Sequence, residues 1–226
     1  MATWVMHLRV SQIILEMLGP DFQVDETAYY VGSVAPDSGK MIGNFTYVPS
    51  KDVSHWKRED VSYEQRFEDN AAFFYKYIEN ETDLKRKSFY LGYYVHILTD
   101  TIYVRDIIHP YMRKMGDDFW RENIEGIRAG WYEIDFRFMA ANPSFYPLSL
   151  LKQVEDFPNT YLDYFDETDL TERVLNCVEL FSNPKVNENC VFYTHDEPRA
   201  IELIKYMTET ISGILKNKHN IIKSDF

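Results

Sequence analysis

The chain has 226 residues, of which 45% are hydrophobic and 27% charged, a balance that is ordinary for a globular protein and sufficient for a substantial core. Its formal net charge is −12 and no cluster of lysine and arginine stands out, which argues against tight binding to a nucleic-acid backbone. No apolar run reaches membrane-spanning length without polar interruption, and the aromatic content of 16% indicates a core rich in large rings.

Cysteine usage and the first residues favour a reducing compartment. Cys177 and Cys190 lie thirteen residues apart and have no CxxC partner, so no disulfide framework is predicted. The N-terminal sequence MATWVMHLRV lacks the basic region, the long apolar run and the small-residue cleavage site of an export signal. We therefore expect a cytoplasmic protein.

In chain order, apolar residues recur at helical spacing in a series of segments. The predicted helices span residues 3–18, 26–32, 62–78, 89–104, 119–141, 169–181 and 197–216, with a further short helix ending at Met115. The stretch from Lys40 to Asp60 lacks this period and is predicted to be a long ordered loop. No strand alternation is long enough for a sheet. The predicted fold is therefore an all-α, multi-helix bundle.

Several helix ends carry recognisable signals. Pro110 predicts a break or kink after the central helix, and Gly116 predicts the end of the short helix that follows. The predicted N-caps are Ser62 (with Gln65), Asp83, Asp117 or Asp118, and Thr194 (with Glu197). One domain is predicted over residues 1–226, with residues 1–141 as its core and residues 142–226 as a helical extension packed on that core.

The central stretch Phe89–Val104 is apolar or aromatic on nearly every face and contains no Lys, Arg or Glu. Such a helix is normally buried in the middle of a bundle. Within it His96 and Asp100 are spaced i to i+4, so their side chains leave the same face one turn apart. A buried histidine and carboxylate are costly unless they are paired or bound to something, so the functional site is predicted here.

Three further polar residues are predicted to point inward or to lie on ordered loops. His7 belongs to the apolar stripe of the first helix, Asp37 follows Pro36 on an irregular loop, and His55 lies in the long loop. Together with His96 and Asp100 they form a ligand set suited to zinc and similar divalent ions. Taken singly, each has another interpretation: His7 as a core histidine, Asp37 as a turn residue, and His55 as a packing corner.

Four motifs occur in a characteristic order: Trp4-x-x-His7, Gly32-x-x-Ala35-Pro36-Asp37, His55-Trp56 and Leu91-Gly92-Tyr93-x-x-His96-x-x-x-Asp100. This order resembles the zinc-dependent phospholipase C family, which is related in fold to the S1/P1 nucleases. The resemblance covers residues 3–106, weakens towards residue 141 and does not reach the C-terminal third. It implies an all-helical fold and a cluster of zinc ions that hydrolyses a phosphoester.

The resemblance also implies individual roles. His7 matches the histidine on the family's first helix, and His55 matches the histidine that follows the loop. Asp37 matches the loop aspartate that binds metal and has been proposed as a base. His96 and Asp100 match the helix pair, in which Asp100 bridges two ions.

Two departures from the family pattern affect the remaining ligands. Exported members use the amino group of a mature N-terminal tryptophan, whereas Trp4 is internal in this sequence. The family's further zinc is bound by two histidines and a glutamate, and this chain offers only Asp106 or His109, and then Asp135. The expectation is a centre of two zinc ions, with another divalent metal as an alternative.

The expected activity is metal-dependent hydrolysis of a phosphodiester or phospholipid-like bond, with Asp37 as the catalytic residue. The acidic charge favours a small phosphoester or lipid-like substrate over a nucleic-acid polymer. The alternative is a non-catalytic binding or scaffold protein that retains a structural metal. An HD-domain phosphohydrolase is disfavoured because the His195-Asp196 dipeptide falls at a late helix cap, where His195 is predicted to lie at the surface.

Overall fold

The computed structural model describes residues 2–43, 46–58 and 60–217. Most of these residues are helical, which confirms the all-α prediction. The α-helices are α1 (Trp4–Leu18), α2 (Glu26–Val34), α3 (Lys51–Ser54), α4 (Tyr63–Tyr77), α5 (Leu84–Tyr103), α6 (His109–Met115), α7 (Asp117–Ala141), α8 (Tyr146–Leu151), α9 (Asp169–Ser182) and α10 (Glu197–Asn217). Two short strands, β1 (Lys40–Met41) and β2 (Tyr47–Val48), pair in an antiparallel hairpin.

Helix α5 is the centre of the bundle, as its composition predicts. Every residue from Ser88 to Tyr103 is buried, because α2 and α4 pack along it and α1 and α10 also contact it. None of the described helices combines the length and the hydropathy that a membrane span requires.

Helices α2 and α5 lie so close that their backbones touch. A Cβ atom at Gly32 would lie 2.0 Å from the carbonyl oxygen of Phe89, and one at Gly92 would lie 1.9 Å from that of Tyr29. Both distances are far below van der Waals contact, so only glycine fits at either position. This approach brings Ser33 of α2 against the face of α5 that carries the polar pair.

The segment after α2 is more regular than predicted. Asp37 ends a 3₁₀ turn, Ala35–Asp37, instead of lying on an irregular loop, because the fixed φ of Pro36 suits the first turn of a helix. The long loop predicted between Lys40 and Asp60 contains the β1–β2 hairpin and α3. Elements of two to four residues are too short to produce a detectable hydrophobic period.

The chain does not break at Pro110. A π-helical turn, Val104–Ile108, continues α5 directly into α6, and Pro110 lies in the first turn of α6. Pro110 has no N–H to donate to the preceding turn, and the π turn directly before it accommodates the change in pitch. Helix α6 ends at Gly116, which has a φ of +87°, as predicted.

Two of the predicted caps are confirmed. Ser62 forms a complete capping box with Gln65, and Asp83 accepts a hydrogen bond from the backbone N–H of Arg86. The cap predicted at Asp117 or Asp118 is wrong: the helix begins at Asp117, and the preceding Gly116 has no side chain that could act as a cap.

The cap predicted at Thr194 is also wrong. Asp196, the residue directly before α10, accepts from the backbone N–H of Arg199 and caps the helix. The Thr194 hydroxyl instead accepts from Trp131 Nε1 at 2.8 Å and contacts His195 Nδ1. His195 is therefore buried, at 6% exposure, and not at the surface as predicted.

Glu133 of α7 is another polar side chain that the fold buries. Its carboxylate accepts from Arg137 at 2.8 Å and from the backbone N–H of Asn187 at 3.0 Å. The segment before α10 covers this part of α7, so a position that is exposed on the isolated helix becomes enclosed.

Candidate metal centre

Four separate elements direct five polar side chains to one place. His7 comes from α1, Asp37 from the 3₁₀ turn, His55 from the residue after α3, and His96 and Asp100 from adjacent turns of α5. None of the five is more than 7% exposed. The structure thus brings together all five residues that the sequence singled out.

The ligand atoms of these residues form two overlapping groups. In one group His7, His96 and Asp100 each offer an atom, and in the other Asp37, His55 and His96 do so. Within each group the atoms lie within 4.8 Å of one another. Asp100 links the groups, because its Oδ1 lies 3.4 Å from His7 Nε2 and its Oδ2 lies 3.4 Å from His55 Nε2.

The spacing fits ligands of a common cation better than direct hydrogen bonds. His55 Nε2 lies 3.5 Å from Asp37 Oδ1, and His96 Nε2 lies 3.7 Å from Asp100 Oδ2. These separations exceed those of normal N–H···O hydrogen bonds. Two ligands about 2.1 Å from a tetrahedral zinc ion are about 3.4 Å apart, so the observed distances match a shared ion.

Buried atoms without partners support the same conclusion. Among the described residues, neither ring nitrogen of His7 has a hydrogen-bond partner, nor do His55 Nε2, His96 Nε2 and Asp100 Oδ2. Leaving so many polar atoms buried and unpaired is unfavourable. A cation would satisfy the Nε2 atoms of the three histidines and Asp100 Oδ2, and so the residues present fit a divalent metal.

Ser33 determines which nitrogen of His96 faces the cluster. The Ser33 carbonyl oxygen lies 2.8 Å from His96 Nδ1. Because a carbonyl only accepts, Nδ1 carries the proton, and Nε2 presents its lone pair to the cluster. A backbone carbonyl in this role is a common outer contact of metal-binding histidines.

The charge states of the cluster also suit a metal. Burial alone would raise the pKa of Asp37, but the positive charge of Lys51 and the nearby ring of His55 hold that pKa well below its usual range. Burial likewise acts to raise the pKa of Asp100, and contacts from His55 and His7 lower it well below normal. Burial lowers the pKa of His96. Ionised carboxylates and a neutral imidazole are the forms that bind metal.

Three contacts hold the carboxylates in place, and no sequence signal marks them as such. Trp4 Nε1 donates to Asp37 Oδ2 at 2.9 Å, and Lys51 Nζ donates to Asp37 Oδ1. The backbone N–H of Ala2 donates to Asp100 Oδ1 at 2.8 Å. Each joins residues that are distant in sequence or that lie in a segment whose structure was not predicted.

The candidates for a third metal site belong to neither group. Asp106 accepts two hydrogen bonds from Arg105, both at 2.6 Å, and His109 Nδ1 contacts the Tyr63 hydroxyl. Asp135, which lies one turn after Trp131 on α7, is buried at 1% exposure and accepts from the backbone N–H of Val5 at 3.2 Å.

The aromatic residues near the cluster divide into two sets. Tyr93 and Tyr94 are fully buried parts of the core. Trp56, next to His55, lines a surface cleft of about 350 Å³ together with Tyr77 and Tyr164. The surface of this cleft is largely apolar, and Trp56 at its wall directly follows His55 of the cluster in the sequence.

Comparison with known proteins identifies one related family. A family model described as zinc dependent phospholipase C matches residues 6–221. No curated protein and no solved structure gives a significant match. The match extends through the C-terminal third, so the expectation that the resemblance stops before that third is wrong. Helices α9 and α10 carry ordinary amphipathic patterns and no short motif by which the relationship could be seen.

Proposed function

The chain belongs to the zinc-dependent phospholipase C family, and from that premise we propose that it hydrolyses phosphodiester or phospholipid-like bonds at a centre of two zinc ions. The observation that carries this proposal is the buried cluster of five ligand residues, in which the Nε2 atoms of the three histidines and Asp100 Oδ2 have no hydrogen-bond partner among the described residues. Zinc is the metal that the family indicates, and another divalent ion remains an alternative.

The two sides of Asp100 support an assignment of ligands to two ions. Oδ2 faces His55 and His96, and Asp37 lies beside His55, so these four residues would hold one ion. Oδ1 faces His7, and this pair would hold part of the shell of a second. His96 has one available nitrogen and can serve only one ion, whereas a carboxylate can bridge two.

When bound, zinc supplies Lewis-acid polarisation of a phosphoryl oxygen and lowers the pKa of a water molecule towards neutrality. The protein's own groups orient the carboxylate of Asp37 and exclude bulk water from the cluster. Trp4 and Lys51 fix both oxygens of Asp37, the proposed catalytic base, and keep it ionised. The fully buried His96 closes the inner side of the cluster against bulk water.

The substrate class follows from the surroundings. The apolar cleft beside Trp56 is suited to an acyl chain or another apolar group of a phosphoester. The net charge of −12 disfavours a polyanionic polymer. A small phosphodiester or a phospholipid is therefore the proposed substrate, and the cytoplasm remains the proposed location.

One observation favours a second candidate, a binding or scaffold protein with a structural metal. Asp106 and His109 are the sequence's candidates for ligands of a further ion, but Asp106 is paired with Arg105 and His109 contacts the Tyr63 hydroxyl. A family member without its third ion could keep the fold and lose turnover.

Metal analysis and phosphodiester hydrolysis together test the proposal. We expect about two zinc ions per chain and hydrolysis of a chromogenic phosphodiester. His7→Ala should reduce the content to about one ion, and Asp100→Ala should remove both because it takes away the bridging ligand. Each should lower hydrolysis by about 100-fold or more.

His109→Ala is the matched control, since this histidine lies outside the cluster, and it should retain zinc and activity. Zinc retained by Asp100→Ala would refute the ligand assignment. Zinc bound by the wild type without hydrolysis of phosphomonoesters, phosphodiesters or phospholipids would favour the scaffold alternative.

A further inference from the structure

A second cleft, of about 640 Å³, lies away from the five ligand residues, where α4, the π-helical turn, α6 and α10 meet. The polar residues that line it are Tyr63, Arg105, Asp106, Arg113, Arg199, Glu202 and Tyr206. None of them belongs to the candidate metal groups. We call this feature the arginine cleft.

The carboxylates at the arginine cleft are already neutralised. Asp106 accepts two hydrogen bonds from Arg105 and a third, at 2.8 Å, from the Tyr206 hydroxyl. Glu202 pairs with Arg199 one turn away on α10. A third carboxylate, Glu64, is exposed to solvent at the start of α4 and does not line the cleft. The two acids that line the cleft are therefore paired with arginines and do not compete for the remaining cations.

Two further guanidinium groups carry the excess charge. Within the described part of the chain, neither Arg66 nor Arg113 forms an ion pair. Arg113 lines the cleft, and the guanidinium carbon of Arg66 lies 5.7 Å from the centre of the ring of Tyr63, which also lines it. Burial, and then the charges of Arg66 and Arg113, lower the pKa of His109. The cleft is thus a cationic site on a chain of net charge −12.

The chemistry of these groups selects the ligand. A guanidinium group offers a planar fork of donors that matches the oxygens of a phosphate group, and the Tyr63 and Tyr206 hydroxyls add further hydrogen-bonding positions. Arg113 at the wall of the cleft has no carboxylate partner among the residues that the structure describes, and so its guanidinium group is free to bind such an anion. The π-helical turn that shapes one wall is an element that recurs at functional sites.

We propose that the arginine cleft binds a phosphate group, independently of the metal centre. The phosphate group is either free inorganic phosphate or the headgroup of an anionic phospholipid. The inference does not rest on hydrolysis by the protein, because it uses different residues from different elements.

The first test titrates inorganic phosphate into full-length, zinc-loaded protein by calorimetry. Arg113→Ala and Arg66→Ala should each weaken one binding event by at least about tenfold. Arg121→Ala is the matched control, since Arg121 is an exposed arginine on α7 paired with Asp118 outside the cleft, and it should bind as the wild type does. Raising the salt concentration should weaken the same event, because the cleft is open to solvent.

A second arm uses sedimentation with vesicles of phosphatidylcholine alone or with phosphatidic acid added. If the wild type binds the phosphatidic acid vesicles and Arg113→Ala does not, the ligand is a lipid headgroup. If Arg113→Ala weakens the binding of inorganic phosphate alone, the ligand is the free ion. The proposal would be overturned if Asp100→Ala abolished phosphate binding while Arg113→Ala left it unchanged. It would also be overturned if neither inorganic phosphate nor the phosphatidic acid vesicles bound. A failure of hydrolysis in the wild type would not affect either arm.

Discussion

At the scale of single residues, the two oxygens of Asp100 face different partners. Oδ1 lies beside His7 and the backbone N–H of Ala2, and Oδ2 lies beside His55 and His96. A carboxylate placed between two sets of imidazoles can bridge two cations without moving. The i to i+4 spacing on α5 gives only one of these contacts, and the others depend on α1 and on the residue after α3.

Asp135 leads to a prediction of pH dependence. Burial raises the pKa of Asp135 to about 7, although the neighbouring Thr3 hydroxyl, the charge of Arg9 and the Val5 N–H act against the shift. The folded state therefore holds a proton that the unfolded state releases near pH 4, so the free energy of unfolding falls as pH rises from about 4 to about 7. The loss reaches about 4 kcal/mol above pH 7.

Asp135→Asn removes this titration and keeps an acceptor for the Val5 N–H. In metal-free protein we expect the variant to be more stable than the wild type at pH 8, with a difference that disappears towards pH 4. Denaturant unfolding at a series of pH values measures this. Asp118→Asn, at a carboxylate whose side chain is 87% exposed, is the control and should show no such trend. A constant difference between Asp135→Asn and wild type at every pH would contradict the prediction.

At the scale of elements, the contact between α2 and α5 connects the fold to the site. The reciprocal glycines allow the two backbones to touch, and this contact places the Ser33 carbonyl on His96. The same helix leads directly into the turn that carries Asp37. The spacing of two helices thus determines the orientation of one imidazole and the position of one carboxylate.

Gly32→Ala tests this connection. Its Cβ would meet the Phe89 carbonyl, so the helices must separate, and we expect a loss of about 3 kcal/mol or more in the free energy of unfolding together with reduced zinc binding. Denaturant unfolding and metal analysis measure the two effects. Gly213→Ala is the matched control, since no atom lies within 4 Å of its added Cβ, and it should be neutral or stabilising by up to about 1 kcal/mol. Similar behaviour of the two variants would show that the close approach is unimportant.

At the scale of the whole molecule, the proposed ligands belong to elements far apart in sequence. Residue 7 lies on the first helix and residue 100 near the end of the fifth, so any ion that they share links the N-terminal helix to the central one. Metal binding in such a place stabilises the complete fold, because the unfolded chain does not hold the ligands together.

Chelation tests this link. With free zinc at about 1,000 times its dissociation constant, the metal contributes about 4 kcal/mol, which corresponds to about 10 °C in Tm for a chain of this size. We expect a chelator to lower Tm by about that amount in the wild type and in His109→Ala. Asp100→Ala should not respond, and calorimetry on the three proteins makes the comparison. An equal response of Asp100→Ala would place the stabilising metal elsewhere.

The sequence by itself determined the helical class, the central position of α5 and the five residues of the candidate site. These features are local, because helical period, capping residues and short motifs are read from neighbouring positions. Ser62 and Asp83 cap their helices as predicted for that reason. The C-terminal third offered no such motif, and its relationship to the family was missed.

The tertiary structure decided what depends on contacts between distant segments. Only the packing of α2 on α5 shows that Ser33 orients His96. Only the packing of the segment before α10 on α7 shows that Glu133 is buried. The same holds for Asp106 and His109, which the sequence left available and the fold engages with other side chains. The physical reason is that a local pattern defines which face of a helix is apolar, but the partner of a buried polar group is set by whichever element packs over it.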